Sequence, residues 1–252
     1  MAESVVSVGM KRLGILGFGS FGEFAAQHLR SHFEVTVYDR RDASVRAREA
    51  GVAAASFVDV VASEVLVVAV PVQDMEDVLR RVAGCPRLPE IVVDVASVKV
   101  KPLDLMARLL PSSIEVVGSH PMFGPQSGRD GIANLKVVLC PLRTTRLEKI
   151  RSFLRDRLSL KVLEMTPEAH DGEMAYIQGL THWIAKAIRE IKLPDLDLST
   201  PAYRHLIKIE EILRDDSDAL FRTIQAENPY ASSARRELLG KLREIEKGLL
   251  DG

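Results

Sequence analysis

The sequence predicts an α/β fold in which a doubly wound parallel sheet is followed by an all-helical C-terminal domain. Short strand-like runs alternate with helix-like segments over residues 12–165, and such alternation is typical of a parallel sheet covered by helices. Residues 65–70 form a continuous apolar run, as expected of a strand that is buried on both faces. Beyond Thr166 only helical spacing remains, which places a domain boundary there.

Composition argues against several classes of protein. With 46% apolar and 27% charged residues, the 252-residue chain is typical of a globular protein with a sizeable core. Its formal net charge of −1 gives no reason to expect nucleic acid or a membrane surface as a partner. We find no apolar run of bilayer length and no signal-peptide pattern. Two cysteines without metal-ligand spacing favour a reducing compartment and no metal, so we expect a cytoplasmic protein.

A glycine-rich turn, residues 17–22, follows the first predicted strand, residues 12–16. The turn reads G-x-G-x-x-G, a helical repeat comes next, and a second strand over residues 34–38 ends at Asp39. This order is the fingerprint of a Rossmann-type dinucleotide-binding domain. Its glycines allow a tight turn, close approach of a pyrophosphate to the helix N-terminus, and close helix packing. The predicted cofactor-binding residues of the turn are Gly17, Phe18, Gly19, Ser20, Phe21 and Gly22.

Asp39 favours NAD as the cofactor. A carboxylate at this position accepts hydrogen bonds from the adenosine ribose and repels a 2′-phosphate. Arg40 and Arg41 keep NADP open as the alternative, since a guanidinium there can hold a 2′-phosphate, although a solvated loop is our default for both. The loop at Val70 and Pro71 is expected either to pass over the cofactor or to be a plain strand end.

The pattern of strands and helices continues to residue 165. Further strands are predicted over residues 51–53, 64–70, 90–96, 114–117, 136–142 and 161–165, with helices over residues 43–50, 73–82 and 145–158 and one ending at residue 110. We therefore expect a Rossmann domain over residues 11–165, preceded by a loose N-terminus over residues 1–10.

His120 stands at the predicted end of a strand and is followed by Pro121. Ligands of open α/β sheets bind outside the carboxyl ends of the strands, so an imidazole clamped there can be aimed at one point. Ser97 follows the preceding strand, and we expect both side chains at the rim that carries the glycine turn. The alternatives are a histidine satisfied by a backbone carbonyl and a serine that caps the next helix. Lys99 is expected to be solvated or capping.

The segment over residues 166–252 is predicted to be helical. Thr166-Pro167 begins a helix that runs to about Ile191, since threonine is a good N-cap and proline a good first residue. Gln178 and His182, four residues apart, share a face of it. Thr200-Pro201 begins a helix to about residue 213, residues 219–227 are helical again, and an amphipathic helix follows Asn228-Pro229. By analogy with other Rossmann proteins, such a domain supplies a substrate cap and a dimer interface.

These motifs together resemble the prephenate/arogenate dehydrogenase family of tyrosine biosynthesis over residues 12 to about 244. The matching segments are residues 17–22, 94–99, 119–128, 178–182 and 199–203. The most specific is Ser-His-Pro-Met-Phe-Gly-Pro-Gln-Ser-Gly at residues 119–128, with Ser-Val-Lys upstream. Thr-Pro-x-Tyr at residues 200–203 and Asp216-Ser217 look most like the plant-type arogenate dehydrogenases. Unlike those enzymes, the chain is expected to have no transit peptide, and it carries Asp39 where the NADP-using enzymes have a small polar residue.

The resemblance implies oxidative decarboxylation, either of L-arogenate to L-tyrosine or of prephenate to 4-hydroxyphenylpyruvate. His120 would accept the C4 hydroxyl proton, a task suited to a neutral imidazole near pH 7, and Ser97 would orient the hydroxyl or the imidazole. The residues implied to line the substrate pocket are Gln126, Gln178 and His182. For Gln178 and His182 the alternative is a polar pair at a domain interface. A homodimer through the helical domain is expected, with L-tyrosine as product and candidate inhibitor.

Asp216 bears on the choice between the two substrates. Arogenate has an ammonium group where prephenate has a keto group, and a carboxylate attracts only the former. In the family an acid at this position accompanies arogenate preference, so arogenate is favoured, with prephenate or dual specificity as alternatives. Asp216 could instead be a helix N-cap, or the match could shift to Asp215. The candidate cations for the ring carboxylate are Arg129, Arg204 and Arg214.

Two rival functions stay open at this point. Another Rossmann dehydrogenase with a helical domain, such as a 3-hydroxyacid dehydrogenase, would use a lysine or histidine of the helical domain. A regulatory protein that binds NAD without turnover would not need His120 for its function.

Overall fold

The computed structural model describes residues 11–194 and 196–251, so the expectation for residues 1–10 lies outside the described part. The chain divides into two compact units. The sheet unit runs to Ala96 and resumes over Pro102–Met165, and the helical unit comprises Ser97–Lys101 together with the chain from Thr166. The sequence pattern did not predict that Ser97–Lys101 belongs with the helices.

An eight-stranded sheet forms the centre of the sheet unit. Its strands are β1 (Arg12–Leu16), β2 (Glu34–Tyr38), β3 (Ala53–Ala54), β4 (Val65–Val68), β5 (Ile91–Asp94), β6 (Glu115–Pro121), β7 (Lys136–Arg143) and β8 (Lys161–Glu164). Their order is β3-β2-β1-β4-β5-β6-β7-β8, and every neighbouring pair is parallel except the antiparallel β6 and β7. The strand order changes between β1 and β4: β2 and β3 lie on one side of β1, and β4 to β8 lie on the other. This order confirms the predicted doubly wound fold.

Helices cover this sheet. They are α1 (Ser20–Leu29), α2 (Ser44–Glu49), α3 (Phe57–Val61), α4 (Val72–Ala83), α5 (Val100–Leu109) and α6 (Leu147–Ser152), the last continued by a π-helical turn over Phe153–Arg157. Helix α3 was not predicted, although Ser56 carries its signal. The Ser56 hydroxyl accepts a hydrogen bond from the Asp59 amide at 3.2 Å, as an N-cap serine does.

The core lies on both faces of the sheet. Leu66 and Val68 of β4 pack into one apolar cluster, and Val67 between them packs into another. Successive strand residues point to opposite faces, so a strand covered on both sides must be apolar throughout. Burial of each such side chain contributes roughly 1.5–3 kcal/mol, which explains why β4 has no polar residue.

The helical unit consists mainly of three long helical stretches and a short one. Helices α7 (Pro167–Met174) and α8 (Thr181–Ile191) are joined by a π-helical turn, Ala175–Leu180. Then come α9 (Pro201–Leu213), α10 (Asp218–Arg222) with a π-helical turn over Thr223–Glu227, and α11 (Ala231–Leu250). The predicted starts at Thr166 and Thr200 are confirmed, because each hydroxyl accepts the amide hydrogen three residues on. Within the described residues, no helix is both long and apolar enough to pass through a bilayer.

Helix α11 carries exposed apolar side chains. Leu242, Ile245 and Leu249 are 52%, 61% and 79% exposed in the single chain, whereas Leu238 and Leu239 on its first half are half-buried. The amphipathic pattern read from the sequence is therefore only partly covered within one copy of the chain.

Replacing Arg143 with methionine should lower the free energy of unfolding by about 1–3 kcal/mol. The Arg143 guanidinium donates hydrogen bonds to the carbonyl oxygens of Ile114, Leu110 and Pro111, beyond the end of α5, and these acceptors would lose a charged donor. Urea denaturation measures the loss. Arg108→Met is the control, because it removes only an exposed pair with Asp104 and should cost at most about 0.5 kcal/mol. Equal losses from the two variants would contradict this assignment.

Candidate active site

The glycine turn between β1 and α1 has no room for side chains at two of its glycines. Gly17 has φ +96°, and a Cβ there would lie 2.4 Å from the Ala69 carbonyl oxygen. A Cβ on Gly22 would lie 2.0 Å from the Gly17 carbonyl oxygen. At Gly19, by contrast, no heavy atom of the described residues lies within 4 Å of the Cβ position. The turn is therefore tightly packed at Gly17 and Gly22 and open at Gly19, its middle glycine.

The N-terminus of α1 is suited to an anion. Gly19 is the N-cap residue, and as a glycine it has no side chain with which to cap the helix. The first N–H groups of a helix lack intrahelical partners, and the helix dipole is positive there. With the open approach at Gly19, these residues fit the pyrophosphate of a dinucleotide. Ser20 is exposed and Phe21 half-buried at the start of α1, while Phe18 is fully buried below the turn.

Asp39 follows the last residue of β2, and its side chain is hydrogen-bonded to the glycine turn. Its carboxylate accepts hydrogen bonds from the Phe18 amide at 2.8 Å and the Arg41 amide at 3.0 Å. The Arg40 guanidinium lies 3.6 Å from the Asp74 carboxylate on an exposed surface. Asp39 is thus held beside the turn, whereas Arg40 is directed at α4.

The loop after β4 also lies beside the turn. Val70 is half-buried, and its Cγ1 would lie 3.1 Å from a Cβ on Gly17. Pro71 is exposed and directly precedes α4. Both residues therefore belong to the rim on which the glycine turn opens.

His120 lies within β6 at the carboxyl end of the parallel strands. It is 3% exposed and pairs with Val138 of the antiparallel neighbour β7. Strand β6 extends beyond β5, which ends at Asp94 opposite Gly118. The Ser119 hydroxyl donates to the Asp94 carbonyl oxygen at 2.7 Å and ties the two strand ends together. The imidazole is therefore carried by a paired strand, which restricts its backbone.

The loop after β6 carries two other predicted substrate-binding residues. The Gly124 amide donates to the Ser127 hydroxyl at 3.0 Å, and the Gly128 amide to the Gly124 carbonyl oxygen at 2.8 Å. Gln126 lies in this turn and is exposed. The Arg129 side chain is 78% exposed and lies 3.6 Å from the carboxylate of its neighbour Asp130.

Ser97 is half-buried and does not cap α5. The helix begins three residues later, and the amides of Lys99 and Val100 donate to the Asp171 carboxylate. The N-cap interpretation of Ser97 is therefore wrong. Lys99 is fully buried, so the expectation of a solvated lysine is wrong as well. Sequence reasoning missed Asp171, because no local pattern links residues so far apart in the chain.

In the helical unit, His182 bridges Gln178 and Asp216. The His182 Nε2 lies 3.1 Å from an Asp216 carboxylate oxygen, and its Nδ1 lies 2.9 Å from the Gln178 carbonyl oxygen. Helix α10 is capped by Ser217, whose hydroxyl accepts from the Leu220 amide at 3.1 Å. The N-cap interpretation of Asp216 is therefore wrong, and its carboxylate faces His182 instead.

The hydrogen bonds of His182 limit how protons can be shared between His182 and Asp216. Both of its partners are acceptors, and a neutral imidazole has only one N–H. The two bonds are made together by an imidazolium facing an ionised Asp216, or by a neutral ring facing a protonated carboxyl. Gln178 lies in the π-helical turn of Ala175–Leu180, and its Oε1 is buried with no hydrogen-bond partner in the part of the chain that the structure describes. π-Helical turns are frequent at functional sites.

The helical unit contains two cavities. One of about 30 Å³ is lined by His182, Ala185, Lys186, Arg189, Leu213, Asp216, Asp218 and Phe221. A larger one of about 700 Å³ lies between α8 and α9. No cluster of three or more His, Cys, Asp or Glu residues within 11–194 and 196–251 is arranged to hold a metal ion.

Arg204 and Arg214 line the larger cavity. Arg214 binds the buried Glu210, with an Nη2–Oε2 distance of 2.7 Å, and this hydrogen bond holds the pKa of Glu210 below its ordinary value. Arg204 donates to the Ser199 carbonyl oxygen at 2.9 Å. Arg129 belongs to the sheet unit and is exposed.

Comparison with known proteins identifies the family. Residues 25–160 match the family model described as prephenate dehydrogenase, nucleotide-binding domain. The chain is 31% identical over 232 residues to arogenate dehydrogenase 1, chloroplastic, of Arabidopsis thaliana, and the match covers 87% of this chain and 36% of that protein. With arogenate dehydrogenase 2, chloroplastic, of the same plant it is 29% identical over 258 residues, 92% of this chain and 71% of that protein. The chain thus spans only about a third of one curated relative.

A solved structure has the same fold. Prephenate dehydrogenase from A. aeolicus, in complex with hydroxyphenyl propionate and NAD+, aligns with a TM-score of 0.76 at 21% identity over 97% of this chain and 92% of that one. The matched family model spans more than half of the 252 residues. With the plant relatives, it establishes that the chain belongs to the arogenate/prephenate dehydrogenase family.

Proposed function

We propose that the protein converts L-arogenate to L-tyrosine by oxidative decarboxylation with NAD or NADP. The observation that carries the choice of substrate is the position of Asp216. Its carboxylate does not cap α10 and lies beside His182 instead, where it is available to an ammonium group. Both plant relatives carry the name arogenate dehydrogenase, which supports the same choice.

The chemistry requires one proton acceptor and a well-placed substrate. The bound cofactor supplies the hydride acceptor for the hydrogen on C4. His120 takes the C4 hydroxyl proton as that hydride leaves, the bond from C1 to its carboxylate breaks, and CO2 departs. The imidazole then returns the proton to the phenol oxygen as the ring becomes aromatic. A general base near neutral pH is suited to this exchange, and Ser97 orients the hydroxyl or the imidazole.

Asp216 discriminates between the substrates through charge. An ammonium group can share the carboxylate with His182, because a carboxylate offers about four acceptor positions. A keto acid gains no partner there and meets a negative charge. Gln178 supplies a second group, since its Oε1 lacks a partner in the described chain. Gln126 and Arg129 are proposed to contact substrate from the loop after β6.

Prephenate is the second candidate. If His182 is an imidazolium, it neutralises Asp216 and reduces the repulsion of a keto acid. Dual specificity would follow if that pair persists while substrate is bound.

For the cofactor we propose a preference for NAD. Asp39 is held beside the glycine turn by the Phe18 amide, where a carboxylate can accept from ribose hydroxyls and would repel a 2′-phosphate. Arg40 is engaged with Asp74, which leaves it poorly placed for a phosphate.

The assembly and setting proposed for the protein are a cytoplasmic homodimer. We base the dimer on the exposed apolar side chains of α11. Cys85 and Cys140 are not joined in a disulfide, which agrees with the reducing compartment we propose. Inhibition by L-tyrosine would act at the substrate site and be competitive.

Replacing His120 with asparagine should lower kcat about 10²–10⁴-fold, because the general base is lost. Affinity for the cofactor, measured by fluorescence titration, should stay within about twofold, since the glycine turn is untouched. His205→Asn on the exposed side of α9 is the control and should turn over normally. Undiminished turnover by the His120 variant would remove the histidine from the mechanism.

Asp216→Asn should lower kcat/KM for arogenate about 10- to 100-fold, the loss of a charge-assisted contact of roughly 1.5–3 kcal/mol. Prephenate turnover should hold or rise, because the repulsion disappears. Steady-state formation of reduced nicotinamide measures both. Asp215→Asn is the matched variant at the neighbouring exposed position and should change neither substrate by more than about twofold. If the arogenate loss follows Asp215 instead, the assignment is shifted by one residue.

Asp39→Ser should shift the cofactor preference toward NADP. Both cofactors should bind less tightly, since the Phe18 amide loses its acceptor, so the ratio of kcat/KM for NAD to that for NADP is the measured quantity. We expect that ratio to fall about tenfold or more, since a tenfold change corresponds to only about 1.4 kcal/mol. Asp42→Ser in the same exposed loop should leave the ratio unchanged. An unchanged ratio in the Asp39 variant would exclude this residue as the determinant.

A further inference from the structure

A buried carboxylate of α7 binds the start of α5. Asp171 is fully buried, and its two oxygens accept hydrogen bonds from the Lys99 amide at 2.7 Å and the Val100 amide at 2.9 Å. The His170 Nδ1 lies 2.8 Å from the same carboxylate and is buried with it. All of these atoms belong to the helical unit, which includes Ser97–Lys101.

Two further contacts within the helical unit support this arrangement. The Asn228 side chain donates to the Asp171 carbonyl oxygen at 2.8 Å, which fixes α7 against the end of the π-helical turn Thr223–Glu227. The Lys101 ammonium lies 2.5 Å from the Glu227 carboxylate. This ion pair is partly exposed, whereas the Asp171 bonds are enclosed, so Asp171 makes the stronger tie. Hydrogen bonds to an ionised acceptor are roughly twice as strong as neutral ones.

The way α5 is capped differs from that of four other helices. Helices α3, α7, α9 and α10 are capped locally, each by a serine or threonine hydroxyl that accepts an amide three residues on. At α5 the acceptor comes from a residue 72 positions away from Lys99. Because the distant Asp171 carboxylate binds the amides of Lys99 and Val100, the Ser97 hydroxyl is not used in the cap. A local serine cap would have consumed that hydroxyl.

We propose that Asp171 is a positioning residue for Ser97. This inference rests on the proposed function, in which the Ser97 hydroxyl orients the reacting groups. The Asp171 carboxylate holds the amides of Lys99 and Val100, and thereby sets the backbone that carries Ser97. A misplacement of about 1 Å in a reacting group can cost about 100-fold in rate. Because the anchored amides are within three residues of Ser97, loss of the anchor should lower the turnover rate.

Asp171→Asn tests the inference. The asparagine side chain keeps the shape of aspartate and one acceptor oxygen, but it presents an N–H₂ group to one of the two backbone amides. We expect kcat to fall about tenfold or more while the cofactor dissociation constant stays within about twofold. The decisive readout is a double-mutant cycle with Ser97→Ala. In the Ser97→Ala background, Asp171→Asn should lower kcat by less than about twofold. Additive losses would mean a general structural role and would overturn the proposal.

Two further variants keep the test interpretable. Glu227→Gln removes only the partly exposed ion pair with Lys101 and should change kcat by less than about threefold. If Asp171→Asn does not fold, His170→Gln leaves both backbone bonds but removes the partner that orients the carboxylate. It should lower kcat a few-fold, and that loss should vanish in the Ser97→Ala background. Unchanged kcat in a folded His170→Gln protein would count against the proposal.

Amide hydrogen exchange separates this inference from the proposed function. Exchange at Lys99 and Val100 should be faster in Asp171→Asn or in His170→Gln, whatever reaction the protein catalyses. Unchanged exchange would refute the anchor itself. If the exchange rises but the unmodified protein oxidises neither arogenate nor prephenate, the proposed function fails and the anchor stands. If the protein is active and Ser97→Ala turns over normally, Ser97 has no role and the positioning claim is refuted.

Discussion

The glycine turn between β1 and α1 is the constraint on which the sheet unit depends. A side chain at Gly22 would approach the Gly17 carbonyl oxygen to 2.0 Å, and one at Gly17 would meet Ala69. With side chains at these two positions, α1 could not begin directly against the end of β1. Asp39 reaches the Phe18 amide only because β2 ends beside this turn. The lack of room for side chains at Gly17 and Gly22 thus keeps the N-terminus of α1 close to the Asp39 carboxylate and to the carboxyl ends of the strands.

The two units place their polar groups by different means. In the sheet unit, His120 is carried by a strand that is paired with β7 and linked to β5 through Ser119, so its backbone is restricted by a ladder of hydrogen bonds. In the helical unit, His182 and Asp216 come from separate helical segments and meet through one contact of 3.1 Å. A contact between two side chains is more easily altered by a ligand than a strand is. This difference agrees with our proposal that His120 transfers the proton and Asp216 discriminates between the substrates.

The sequence was sufficient to predict the features that depend on local chemistry. Continuous apolar runs marked the buried strands, and Thr166 and Thr200 marked helix starts, because a hydroxyl three residues from an amide is a local arrangement. The position of His120 at the end of a strand was predicted from the apolar run that precedes it and from Pro121 after it. The features that were missed depend on tertiary contacts. Lys99 looks like any surface lysine, and no signal indicates that its amide is bound by Asp171. Asp216 was open to two interpretations until the structure placed Ser217 as the cap.

We propose above all that the protein oxidises arogenate in preference to prephenate. The most direct measurement is the rate of reduced-nicotinamide formation by the unmodified protein with L-arogenate and with prephenate, each offered NAD and then NADP. We expect a higher kcat/KM for arogenate and faster turnover with NAD. Equal or better use of prephenate would contradict the role given to Asp216, and absence of turnover with either substrate would contradict the proposed function as a whole.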